Sequence, residues 1–90
     1  MSSDPVSWLM IEHGWKVVDR DGHELGTVVE VLGDTASDIF SGLSVASGLL
    51  NRPRHLPAEH VTRIVEGQVE VDLDQDEFDG LAEYEPPAPA

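Results

Sequence analysis

The fold of this chain turns on one run, Gly14-Trp15-Lys16-Val17-Val18-Asp19-Arg20-Asp21-Gly22-His23-Glu24-Leu25-Gly26-Thr27-Val28-Val29-Glu30-Val31-Leu32. Two stretches rich in β-branched residues flank Asp19-Arg20-Asp21-Gly22. Aspartate bonds the backbone two residues on and glycine adopts a positive φ without strain, so those four residues signal a turn. The spacing predicts a hairpin with strands over 15–18 and 25–32. Strict alternation along the second strand puts Leu25, Thr27, Val29 and Val31 on one face. Gly26, Val28, Glu30 and Leu32 then fall on the other, which Glu30 marks as the wetter.

Downstream of the hairpin, the polar run Thr35-Ala36-Ser37-Asp38 predicts a connection, and 39–45 a third strand bent or bulged near Gly42. Arg54-His55-Leu56 predicts a short strand stopped by Pro57, followed by a helical turn over 57–61 with proline at its start. Strands over 62–65 and 68–73 are joined by Glu66-Gly67. The second of these turns Val69, Val71 and Leu73 inward and Gln68, Glu70 and Asp72 outward. Asp74 caps a last helical segment carrying Phe78, Leu81 and Tyr84 on one face. Upstream, 5–12 predicts a short helical turn with Asp4 as N-cap and Pro5 at its first position. The chain divides into an N-terminal helical turn (1–13), a β domain (14–84) and an unpacked Pro-rich tail (85–90). Six short strands with frequent turns predict an all-β class and a small, largely antiparallel barrel, since closing a sheet removes the exposed edges that invite aggregation.

The hairpin Gly14 to Gly22 followed by Leu25-Gly26-Thr27-Val28, together with Gly48-Leu49-Leu50-Asn51-Arg52-Pro53-Arg54-His55-Leu56-Pro57-Ala58-Glu59, resembles the PRC-barrel family. An Asp-Gly turn ahead of a Gly-x-Val strand, then a basic strand ending in Pro-Ala-Glu, carry the likeness from Gly14 to Tyr84. Members include a domain of the photosynthetic reaction-centre H subunit, the C-terminal domain of a bacterial ribosome-maturation factor and stand-alone bacterial proteins. The resemblance implies a six-stranded β-barrel used mainly to bind other proteins, without shared catalytic residues. Neither the transmembrane helix of the first nor the RNA-processing domain of the second is present in this sequence, so neither specific activity carries over.

Composition narrows the function. Ninety residues hold 18 Asp+Glu and 5 Lys+Arg, for a formal charge of −13. Such a charge opposes direct docking on nucleic acid or an anionic membrane, and favours a basic partner. A chain of this length is one domain burying about 60% of its unfolded surface. The absence of cysteine excludes disulfides, thiolate metal sites and a cysteine nucleophile. No basic-then-apolar leader and no run near the roughly 20 apolar residues of a membrane span occur, so a cytoplasmic location is expected.

Residues 66–85 hold nine carboxylates and no cation. Asp72, Asp74, Asp76 and Glu83 fall at loop positions 1, 3, 5 and 12 of a calcium-binding EF-hand, which makes them the candidate metal ligands. Glu77 stands where that loop needs glycine and Asp79 where it takes an apolar residue, so a solvated strand end and helix cap is preferred, and no metal or cofactor is expected. His13, His23, His55 and His60 lack zinc-ligand spacing. Gly42-Leu43-Ser44-Val45-Ala46 lacks the final glycine of a nucleophile elbow. No phosphate-binding loop or dinucleotide fingerprint occurs, and an enzyme is not expected.

Arg52, Arg54, His55, His60 and Arg63 form the one basic island. Arginine forks there either bind a partner's carboxylate or phosphate, or pair with the chain's own acidic end, the preferred reading. The apolar turn around Trp8 and Ile11 either caps the barrel or contacts a second copy. The sequence thus predicts a non-enzymatic protein-interaction adaptor, with Trp8, Arg52, Arg54, His55, Asp76, Glu77 and Asp79 as candidate partner-binding residues. The partner is expected to be a protein, with a basic surface favoured and a homodimer as a further option. A binder of a basic ribosomal protein in ribosome assembly is the alternative, and a small cation-binding protein a more distant one.

Overall fold

A computed structural model describes residues 6–47 and 52–83. Six strands form one sheet: β1 (Lys16–Val18), β2 (Glu24–Asp34), β3 (Ile39–Ala46), β4 (Arg54–Pro57), β5 (Val61–Val65) and β6 (Gln68–Val71). They lie in the order β4-β3-β2-β1-β6-β5. Four neighbouring pairs are antiparallel, and β1 runs parallel to β6, with Val17 beside Val69. The last strand of the sequence thereby joins the first hairpin to the final one.

Chain length dictates the sheet's curvature. A flat sheet of six strands would hold its outer strands about 24 Å apart. Yet β4 and β5, the two edges, are linked by the single 3₁₀ turn Ala58–His60. Four Cα steps between Pro57 and Val61 reach about 15 Å at full stretch. The sheet must therefore curl until its edges approach. Four bulges supply the bending, with Leu25, Val29, Ser41 and Thr62 as the extra residues.

The bulges also correct the alternation expected for β2. Leu25 and Val28 are both buried, and Val31 packs on the core, while Glu30 is exposed. The extra residues at 25 and 29 each shift the phase, so Val28 faces inward with Val17 and Val45 instead of lying on the wet face. Close approach explains two glycines nearby. A Cβ on Gly26 would strike the Ala46 carbonyl, and one on Gly42, at a φ of 152°, the Leu56 carbonyl.

Val17, Val28, Leu43, Val45, Leu56, Val69, Val71 and Phe78 fill the interior of the curl. β6 ends at Val71, two residues before the expected end, but Leu73 still points inward and is buried. The helix α1 (Gln75–Asp79) begins with a capping box: Asp74 accepts the Glu77 N–H at 2.8 Å and Glu77 accepts the Asp74 N–H at 3.1 Å. The helix drops Phe78, fully enclosed, into the core, and Leu81 packs after its end. At the other end the helical turn is Trp8–Met10, capped by the Ser7 hydroxyl; Asp4, Pro5, Tyr84 and the Pro-rich tail lie outside the described residues. No helix among the described residues is long and apolar enough to cross a membrane.

Candidate interaction surface

Each edge of the curled sheet meets a different terminal segment. Along β4, the stretch after α1 lies alongside the strand: His55 N–H donates to the Ala82 carbonyl at 2.8 Å, and Arg54 is bridged to Glu83. The Arg54 guanidinium donates to the Leu81 carbonyl at 2.8 Å, and Arg52 lies 3.8 Å from the Glu83 carboxylate. The carbonyls of Asp76, Glu77 and Phe78 accept from the backbone N–H groups of Gly80 and Leu81, and the guanidinium serves a carbonyl beyond the helix, that of Leu81. Arg54 and His55 are half-buried by this arrangement, and Arg52 stays exposed. Both arginines of the pair thus contact the chain's own acidic end.

Along β5, Val6 N–H donates to the Ile64 carbonyl at 2.8 Å. From there the chain turns through Trp8–Met10 toward the tip of the β2–β3 hairpin. Trp8 stacks on Phe40 with ring centroids 5.2 Å apart, and its indole N–H donates to the Asp38 carboxylate at 2.9 Å. Asp38 adopts a φ of 54°, a conformation aspartate tolerates better than most residues. Ile11 is buried in the core. The turn therefore packs on the body of the sheet, and between it and β5 opens a groove of about 310 Å³. Val6, Trp8, Phe40, Ala58, Val61 and Ile64 give it an apolar lining. The exposed large hydrophobic side chains among the described residues are Leu9 (51%), Met10 (58%) and Ile39 (56%), each adjacent in the chain to Trp8 or Phe40, or one residue further.

The acidic candidates lie elsewhere. Asp76, Glu77 and Asp79 are exposed on α1. Asp72 holds His60 Nδ1 at 3.0 Å, and its carbonyl accepts from Arg20 at 2.9 Å. Asp74 is committed to the helix cap and Glu83 to Arg52, so the four spaced carboxylates do not converge on one point. Among the described residues, the potential metal ligands that do lie close together are Asp19, Asp21 and His23. There Asp19 Oδ1 accepts the N–H groups of His23 and Asp21, each at 2.9 Å. Those bonds, that to His23 foremost, hold the Asp19 carboxyl below the usual carboxylate range. The arrangement is that of a turn closed by an aspartate, at the place where the Asp-Gly signal in the sequence predicts one.

Ser44 of the incomplete elbow sits between Glu30 on β2 and His55 on β4 in register. Its hydroxyl is buried and without a hydrogen-bond partner among the described residues, so the serine–base contact of an activated nucleophile is not formed. What sequence reasoning missed is the groove. Its walls come from residues 6, 8, 40, 58 and 61–64, which no local pattern brings together.

Six short strands curled around one small core, with an apolar groove beside one edge, define a small all-β module. A family model described as the PRC-barrel domain matches residues 13–78, from the first hairpin to Phe78. The chain belongs to the PRC-barrel family. Comparison with curated proteins gives no significant match.

Proposed function

We propose that the chain is a non-enzymatic protein-interaction module whose contact surface includes the groove beside β5. The carrying observation is the apolar groove beside β5, with the exposed Leu9, Met10 and Ile39 within two residues in the chain of its lining residues Trp8 and Phe40. Single exposed apolar residues are ordinary, whereas an apolar concavity open to solvent marks a contact surface. Membership of a family of small binding domains supports the same reading. Cytoplasmic residence is part of the proposal.

The test is affinity capture from the source lysate with the native chain and with a triple variant, Leu9→Glu, Met10→Glu and Ile39→Glu. The expected result is a protein enriched by the native chain and lost with the variant. No enrichment, or enrichment the variant leaves unchanged, defeats the proposal. A second reading, a basic protein partner such as one met in ribosome assembly, draws on the exposed Asp76, Glu77 and Asp79 of α1. Such a complex should weaken steeply from low to physiological ionic strength and with all three changed to Asn or Gln.

A further inference from the structure

We infer that the occupant of the groove is a short protein segment carrying an apolar side chain between lysines or arginines. The inference rests on the interaction-module reading and adds the partner's chemistry to it. The apolar half follows from the lining: Val6, Phe40, Val61 and Ile64 present hydrocarbon, and the Trp8 ring is fixed by its stack and its bond to Asp38. A wall held in place loses little freedom on binding, which favours insertion of one side chain into the concavity. The open concavity of about 310 Å³ has room for one such side chain.

The cationic half follows from charge. Asp38, bonded to the Trp8 indole, and Glu59, next to Ala58 in the chain, are exposed acidic residues beside the groove's lining. Arg63 is the cation that lines it. The chain as a whole carries −13, and its cations contact its own groups, among them Lys16 with Glu24, Arg20 with Asp72, Arg52 with Glu83 and Arg54 with Leu81. The field that an approaching molecule meets is therefore negative. It draws in a cationic segment and disfavours a second copy of this equally acidic chain.

The probe is the peptide acetyl-Lys-Leu-Lys-Ile-Lys-amide, titrated into the ¹⁵N-labelled full chain and followed by amide and indole N–H shifts. Two controls replace the lysines by glutamates or the apolar residues by serines. A variant, Ala58→Arg, fills the groove from the half-buried 3₁₀ turn, and its melting curve checks that it folds. The expected result is shifts at Val61, Ile64 and the Trp8 indole, with binding weakened about tenfold or more by either control and by the variant. Equal binding of the glutamate peptide overturns the charge assignment, and equal binding of the serine peptide overturns the apolar anchor. Shifts confined to α1, or none at about 1 mM peptide, overturn the site while leaving the interaction-module reading to the capture experiment. If Val61, Ile64 and Trp8 instead respond to protein concentration without peptide, the occupant is a second copy and the inference fails.

Discussion

The two edges of the sheet solve one problem in opposite ways. β4 is held by backbone bonding to Ala82, a guanidinium on the Leu81 carbonyl and an ion pair to Glu83. β5 receives the Val6 N–H and then borders an apolar groove. Polar bonds at β4 satisfy the edge and leave little for a newcomer to gain. At β5 the neighbouring wall is hydrocarbon, which gains free energy on leaving water whichever apolar group covers it. The difference teaches that a small curled sheet can reserve one side for structure and the other for contact.

The largest test of that division is Phe78→Ala. Phe78 anchors the helix that leads into the segment on β4, and removing an enclosed phenyl ring should cost about 3–5 kcal/mol in chemical denaturation. If the β4 edge depends on this anchor, hydrogen exchange at His55 should accelerate far more than at Ile64. Arg54→Ala comes next. Loss of a half-buried charged donor to the Leu81 carbonyl should cost about 1.5–3 kcal/mol, with the same bias in exchange toward β4. Equal acceleration on both edges would break the comparison.

Acid provides a milder probe placed away from either edge. The Asp19 carboxyl is lowered in the folded chain, so its contribution is present above its unfolded value of about 3.9 and lost as pH falls through the folded one. Native stability should therefore decline on acidification below about pH 4, and Asp19→Asn should flatten that part of the profile. The hairpin turn, not one edge, should show the first changes in amide shift. Smallest is Arg52→Ala. Its pair with Glu83 is exposed on both sides, so unfolding free energy should change by about 0–1 kcal/mol. A larger loss would mean that the ion pair, rather than Arg54, holds the segment on β4.

Much of this architecture is legible in local chemistry. The Asp-Gly turn, the glycine-marked bend in β3, the Pro57 turn and the Asp74 cap each act over a few residues, and each is found where the sequence predicts it. The inward set Val69, Val71 and Leu73 is legible for the same reason, because β6 carries no bulge. β2 is not, since its phase depends on residues inserted against two different neighbours, Val17 on one side and the 44–45 pair on the other. Alternation within one strand carries no record of a bulge forced by its partners. The groove is hidden still more deeply. The stack of Trp8 on Phe40 joins positions 32 apart, and no period in the sequence announces it.

The parallel pairing of β1 with β6 has a consequence in time. The partners of Lys16, Val17 and Val18, namely Gln68, Val69 and Glu70, are made 52 residues after them. Hairpins β1–β2 and β2–β3 can form as they emerge, but one side of β1 must wait for β6. Closing so long a loop is slow compared with closing a hairpin. Until then Val17 belongs to an unfinished surface, and a chain stopped ahead of Gln68 would keep it so. The same three-residue contact that unites the sheet in space therefore makes the emergence of β6 the moment after which the sheet can complete.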